Sequence, residues 1–205
     1  MMGNNKTELA RYYNENGELV TVTIEKYKNM VEHKEKEKIA DFIYNRLYSR
    51  YIKPFEYDDL VYKQQYKNGF SMMANCCLLI ETFQAFREEG DKGSEYLFKN
   101  FFENNKQFKD FDKTEKMNGN IKNSFYIHVR CGILHQGETR GGWKINRKPD
   151  TPLLDNKNIN ANKFMEELKK VLEKYRNDLS KADFDNDDIW KKFKNKMDDI
   201  INNCQ

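Results

Sequence analysis

This chain of 205 residues holds only three prolines and ten glycines. So few chain breakers exclude a collagen, a flexible linker protein and a turn-rich β-sandwich. Its four cysteines, Cys76, Cys77, Cys131 and Cys204, include no C-x-x-C pair with Cys or His partners downstream. That excludes a structural zinc site of familiar spacing, and no metal and no cofactor is expected. Cys76 and Cys77 are adjacent and sit among apolar neighbours, as buried thiols do, so a reducing cytoplasm is the expected location. No run of 18 apolar residues occurs, so no membrane span or membrane partner is expected. The opening MMGNNKTELARYY has no apolar stretch, and no secretory signal is read there. What the chain does have is 14 Phe and 12 Tyr, enough apolar area for a core despite a charged fraction of 34%. Its length suits one domain over 1–205.

The net charge is +3, but the window 121–148 carries +5 through Lys122, Arg130, Arg140, Lys144, Arg147 and Lys148 against the single acid Glu138. A basic segment in an otherwise balanced chain is either a phosphate-binding surface or a solvated loop.

Residues 8–27 read as a β-hairpin, with strands Leu9 to Tyr13 and Glu18 to Ile24 around Asn14-Glu15-Asn16-Gly17. The stretch 29–136 reads as a helical core. It comprises a helix over 29–51, a Tyr-rich stretch over 55–66, an apolar helix over 70–89 and an amphipathic one over 95–104. A polar connection follows over 106–119, then a last apolar helix over 121–136 capped by Gly137. Residues 137–155 read as a basic loop with an extended piece at 143–145. Residues 156–205 hold two terminal helices, over 161–179 and 185–202, whose Trp190 and Phe193 are core positions. The fold class is mainly α with a small N-terminal hairpin. The run HKEKEKIAD at 33–41 is a solvated helix face.

The chemistry concentrates in Ser124 to Ile145, SFYIHVRCGILHQGETRGGWKI. An arginine in an apolar helix stays charged, so Arg130 needs a carboxylate, a phosphate or water. His135 lies in the last turn, where the helix dipole favours a protonated imidazole. On an ideal helix the two residues are about 140° apart in projection. Arg130 must therefore reach round, or the helix must deform near Gly132, or the two groups must meet those of a second subunit.

Arg130-Cys131-Gly132-Ile133-Leu134-His135 resembles the Arg-x4-6-His motif of HEPN domains (higher eukaryotes and prokaryotes nucleotide-binding). The wider string HVRCGILHQGETRGGWKI is similar to small prokaryotic and plasmid-borne members, and a looser likeness spans Phe70 to Ile145. The resemblance implies a helical bundle that dimerises through the motif helix. It further implies a metal-independent endoribonuclease in a defence or toxin role, with RNA, a second copy of the chain, and an antitoxin or regulatory protein as partners. In RNA cleavage the 2′-OH attacks the adjacent phosphorus, one group removes its proton, another protonates the leaving 5′ oxygen, and a cation stabilises the phosphoryl oxygens. The resemblance assigns His135 as general acid or base and Arg130 as the phosphoryl clamp. Active members often carry a small polar residue after the Arg and a Tyr two positions beyond the His; here these are Cys131 and Gly137. Those departures suit an alternative, a non-catalytic HEPN module that binds nucleotide, RNA or a protein. An unrelated helical scaffold, the third reading, predicts Arg130 in an ion pair far from His135 and from any cleft.

Supporting candidates each carry two readings. Glu81, on an apolar helix face, either pairs with Arg130 or reaches solvent. Asn75 either supports the site or bonds a neighbouring helical turn. His128 is seven residues before His135, about 10.5 Å along the helix and too far to share one metal. It either contacts RNA or satisfies a backbone carbonyl. Cys131 reads as a packed thiol. Arg140, Trp143 and Lys144 either stack a base and bind phosphate, or, in the case of Trp143, anchor the loop on the core.

Overall fold

The computed structural model describes residues 5–57, 61 and 65–204. The chain is mainly α-helical, with three small sheets at its margins. Strands β1 (Glu8–Tyr13) and β2 (Leu19–Thr23) form the expected antiparallel hairpin. Its turn is closed by the Asn14 side chain, which accepts from the Asn16 and Glu18 amides, while Gly17 supplies a φ of 76°. The hairpin ends sooner than the alternation suggests. Thr23 caps the next helix by accepting from the Lys26 amide, so Ile24 opens a helix instead of closing a strand. The helix read over 29–51 is in fact two, α1 (Ile24–Glu32) and α2 (Lys36–Tyr51). They divide at Lys34, whose φ is 52°, inside a charged run with no apolar side chain to hold a helix on the core.

The centre is α3 (Gly69–Ala85), apolar nearly all round, with Met73, Cys76, Cys77 and Ile80 fully buried. Against it pack α2, α4 (Ser94–Asn104) and α6 (Ala161–Lys181). The terminal helix α7 (Asp188–Asn203) completes the bundle, its Trp190 donating to the Leu179 carbonyl at 3.1 Å from a fully buried position. Half of the Tyr-rich reading over 55–66 falls outside the described residues.

Two stretches differ from expectation. The polar connection over 106–119 is a 3-10 turn (Lys106–Phe111) followed by a second hairpin, β3 (Thr114–Met117) and β4 (Asn120–Asn123). Its two-residue turn, Asn118-Gly119, has φ of 48° and 83°, which matches the twist of the strands. The motif helix therefore begins at 124, after β4, and not at 121. The basic segment 137–155 is also more ordered than a loop. It contributes β5 (Lys144–Asn146) and β6 (Leu154–Asp155), which flank β7 (Asn158–Asn160) in a three-stranded sheet. Asn160 then caps α6 through the Lys163 amide and donates to the carbonyls of Lys148 and Thr151.

A cluster of rings beneath the motif helix joins these parts. Phe125, the second residue of that helix, lies 5.2 Å from Phe102, 5.5 Å from Phe111 and 5.6 Å from Phe164, centroid to centroid. It sets where the helix enters the core.

Candidate functional site

The motif helix is not uniform. A π-helical turn over Tyr126–Arg130 runs into α5 (Cys131–Gln136), and the Cys131 amide bonds the Tyr126 carbonyl five residues back. From Cys131 onward the helix is regular, so the deformation lies before Arg130 and not at Gly132. Gly137 ends it with a φ of 71° and an amide bond to the Ile133 carbonyl at 3.0 Å.

Arg130 turns to α3. Its Nε donates to Glu81 Oε1 at 2.7 Å and its Nη2 to Oε2 at 3.3 Å, with the two side chains 15% and 20% exposed. The Tyr126 ring lies under the guanidinium, 5.5 Å from centroid to Cζ. Burial lowers the Arg130 pKa, and the hydrogen bond and charge of Glu81 more than offset it, so the group ends above its ordinary value. A fixed cation results. Two of its five N–H donors go to Glu81, and the guanidinium also bonds the Cys131 thiol. The Cys131 thiol lies beside both Arg130 and Tyr126. Burial pushes the Tyr126 hydroxyl up first, with the charge of Cys131 adding to it. The neighbouring Cys77 thiol is raised by burial and then by Glu81, which keeps it protonated and unreactive.

His135 is exposed on the last turn of α5 and makes no hydrogen bond with the described residues. Two exposed leucines flank the ion pair: Leu78 one turn before Glu81 on α3, and Leu134 one turn after Arg130 on α5. Three cavities, of about 480, 680 and 720 Å³, lie elsewhere, and neither Arg130 nor His135 lines them.

The other candidates separate. Asn75 is half-buried and donates to the Ser71 carbonyl at 3.0 Å, bonding its own helix and not the arginine. His128 Nε2 is bonded to Glu115 of β3 and not to a backbone carbonyl. Its Nδ1 is closed off and has no partner, and a Cβ on Gly141 would fall 2.7 Å from its ring. Trp143 is buried, donates to Ser124 Oγ at 3.2 Å and packs on Phe111 and Phe125. Its ring is therefore not available to a base. Arg140 bonds the Ile127 carbonyl at 2.9 Å. Of the three, Lys144 alone faces solvent without a side-chain partner. Glu115 and Tyr126 were not visible as site residues in the sequence. Glu115 is brought in by a hairpin whose Asn-Gly turn is the signal that could have found it. Tyr126 lies four residues before Arg130, a spacing at which helical side chains meet.

Among the described residues no group of three or more His, Cys, Asp or Glu side chains is placed to hold a metal ion, and no helix is long and apolar enough to cross a membrane. Compared with known proteins, the chain matches no family model, no curated protein and no solved structure.

Proposed function

We propose that this protein is a HEPN-type endoribonuclease that cleaves RNA without a metal, in a defence or toxin role, from a site shared between two copies of the chain. The observation that carries the reading is the Arg130–Glu81 pair. It is an oriented, mostly buried guanidinium held by Glu81, one and a half turns from an exposed imidazole. Glu81 fixes the plane of Arg130, and the N–H donors that Glu81 does not take meet the oxygens of the scissile phosphate. His135 removes the 2′-OH proton or protonates the 5′ oxygen. As the 2′ oxygen bonds to phosphorus, the bond to the 5′ oxygen breaks, and a 2′,3′-cyclic phosphate and a 5′-OH result. Arg130 stabilises the charge that grows on the phosphoryl oxygens. Because Arg130 is held toward α3, the residues that complete the site come from a second copy, and Leu78 and Leu134 form the apolar rim of that contact. An antitoxin or regulatory protein would act by covering the same surface.

Purified protein incubated with single-stranded and structured RNAs in EDTA is expected to cleave. His135→Ala and Arg130→Ala are each expected to reduce the rate at least 100-fold. Cutting by wild type and His135→Ala at equal rates sinks the assignment. The satisfied ion pair, outside the three cavities, also meets part of what an unrelated helical scaffold predicts; with Cys131 and Gly137 in the motif, the stronger second reading is a non-catalytic module. It predicts RNA or nucleotide binding that Arg130→Ala weakens, with no product formed.

A further inference from the structure

Arg140 has no carboxylate partner among the described residues, and what it holds is backbone. Its Nη2 donates to the Ile127 carbonyl at 2.9 Å, and its amide donates to the His128 carbonyl at 3.0 Å. Its Nε is closed off from solvent and has no acceptor. In an unbroken α-helix those two carbonyls would take the amides of Cys131 and Gly132, four residues on. Here the Cys131 amide bonds Tyr126 instead. The carbonyl that this switch frees, Ile127, is the one the Arg140 side chain occupies, and the Arg140 amide takes the next one along.

The segment that delivers Arg140 is built to cross the helix at this point. A Cβ on Gly132 would lie 2.5 Å from the Glu138 carbonyl oxygen, so only glycine lets the chain pass so close. Beyond the crossing, Thr139 Oγ1 donates to the Trp143 carbonyl at 2.6 Å, and the Trp143 amide donates to the Arg140 carbonyl at 3.1 Å. The buried Trp143 ring anchors the far end.

We infer that Arg140 is a positioning residue: by occupying the Ile127 and His128 carbonyls it holds the widened turn open and thereby keeps Arg130 against Glu81 and Tyr126. Closing that turn to α geometry would remove one residue from it and rotate the following helix by about 100° relative to Phe125. Phe125 is locked in the ring cluster, so the rotation would carry Arg130 away from α3. The inference deepens the ribonuclease reading, and its cleavage measurement alone rests on that reading.

The test follows the Arg130 Nε–H by NMR in the full chain. Bonded to Glu81 at 2.7 Å, this proton is expected to exchange slowly in the wild type. Arg140→Met keeps the stem and deletes the donors. It is expected to speed that exchange at least tenfold while the His33 ring signal, on the far side of the break after α1, stays in place. Arg140→Lys, which keeps one cationic donor, is expected to exchange at least threefold more slowly than the Met variant. Gly132→Ala displaces the crossing segment, including the Arg140 amide 3.5 Å from the added Cβ, while keeping the Arg140 side chain, and is expected to match Arg140→Met. Exchange within twofold of wild type in folded Arg140→Met and Gly132→Ala overturns the inference. Should Arg140→Met not fold, Arg140→Lys and Gly132→Ala decide by the same criterion. If the wild type cleaves RNA, Arg140→Met is expected to lower kcat at least tenfold with KM within twofold. Lost cleavage beside an unchanged Arg130 signal also overturns the inference. A wild type that cleaves nothing sinks the ribonuclease reading and leaves the exchange measurement to decide this one.

Discussion

The terminal helices and the motif helix draw on similar residues and are built on different rules. In α6, Phe164, Leu168, Val171, Leu172, Tyr175 and Leu179 are buried at steps of three and four, so one regular stripe faces the core. In the motif helix Phe125, Val129 and Ile133 are buried at two successive steps of four. In a regular helix that spacing drifts about 80° round the axis. The widened turn absorbs the drift, so all three stay on the core while Arg130 still reaches α3. The terminal helices need nothing beyond their own periodicity. The motif helix needs Gly132 for the crossing segment, Arg140 for its loosened carbonyls and Glu81 for its cation. Local rules break together where a protein holds a functional group, which is why this helix and not α6 or α7 is the place to look for chemistry.

The sharpest way to break this contrast is to remove a large ring from each region. Trp190→Ala and Trp143→Ala are each expected to cost about 3–5 kcal/mol in urea unfolding. Trp190→Ala should leave the slow Arg130 Nε–H signal intact, whereas Trp143→Ala should abolish it, because Trp143 anchors the segment that crosses the motif helix. Equal effects on that signal would erase the distinction. A smaller effect is expected at the ion pair itself. Glu81→Ala strands a mostly buried guanidinium and should cost about 2–3 kcal/mol. Glu81→Gln, which still accepts from Nε, should cost less than half as much, as read by thermal unfolding.

The smallest effect lies outside both regions, at Glu56, which accepts from Lys169 at 2.8 Å and from the Tyr48 hydroxyl. Burial raises this carboxyl, and the bonds from Lys169 and Tyr48 outweigh it, so the group ends below its ordinary 4.5. Its contribution to stability is complete above that ordinary value and is lost as pH falls through the depressed folded value. The stability difference between wild type and Glu56→Gln should therefore shrink on acidification below about pH 4.5, with the Arg130 signal unaffected throughout. A difference that stays constant from pH 7 to pH 3 would remove Glu56 as its source.

Much of the frame was legible. The first hairpin announced itself through Asn16-Gly17, and α3 through a stretch whose middle is apolar nearly all round. The Arg130–Glu81 contact was one of two readings of Glu81, suggested by the cost of leaving a charge unpaired on an apolar face. The second hairpin was overlooked although Asn118-Gly119 carries the same signal, because its strands are polar and show no alternation. Lysine and asparagine on both faces of a short ribbon give no period to read. His128 was misplaced for a related reason: its partner Glu115 belongs to that hairpin. Trp143 read equally well as a stacking platform or an anchor, and burial against Phe111 and Phe125 is a fact of packing, not of spacing.

By itself the sequence determined where the regular helices run and where the first chain reversal falls, because periodicity and turn chemistry act between residues a few positions apart. Only the tertiary structure decided the shape of the motif helix. A widened turn becomes favourable when donors from elsewhere reach its carbonyls and a neighbouring helix supplies the counter-charge, and those groups, Arg140 and Glu81, lie 13 and 49 residues away along the chain from the atoms they hold.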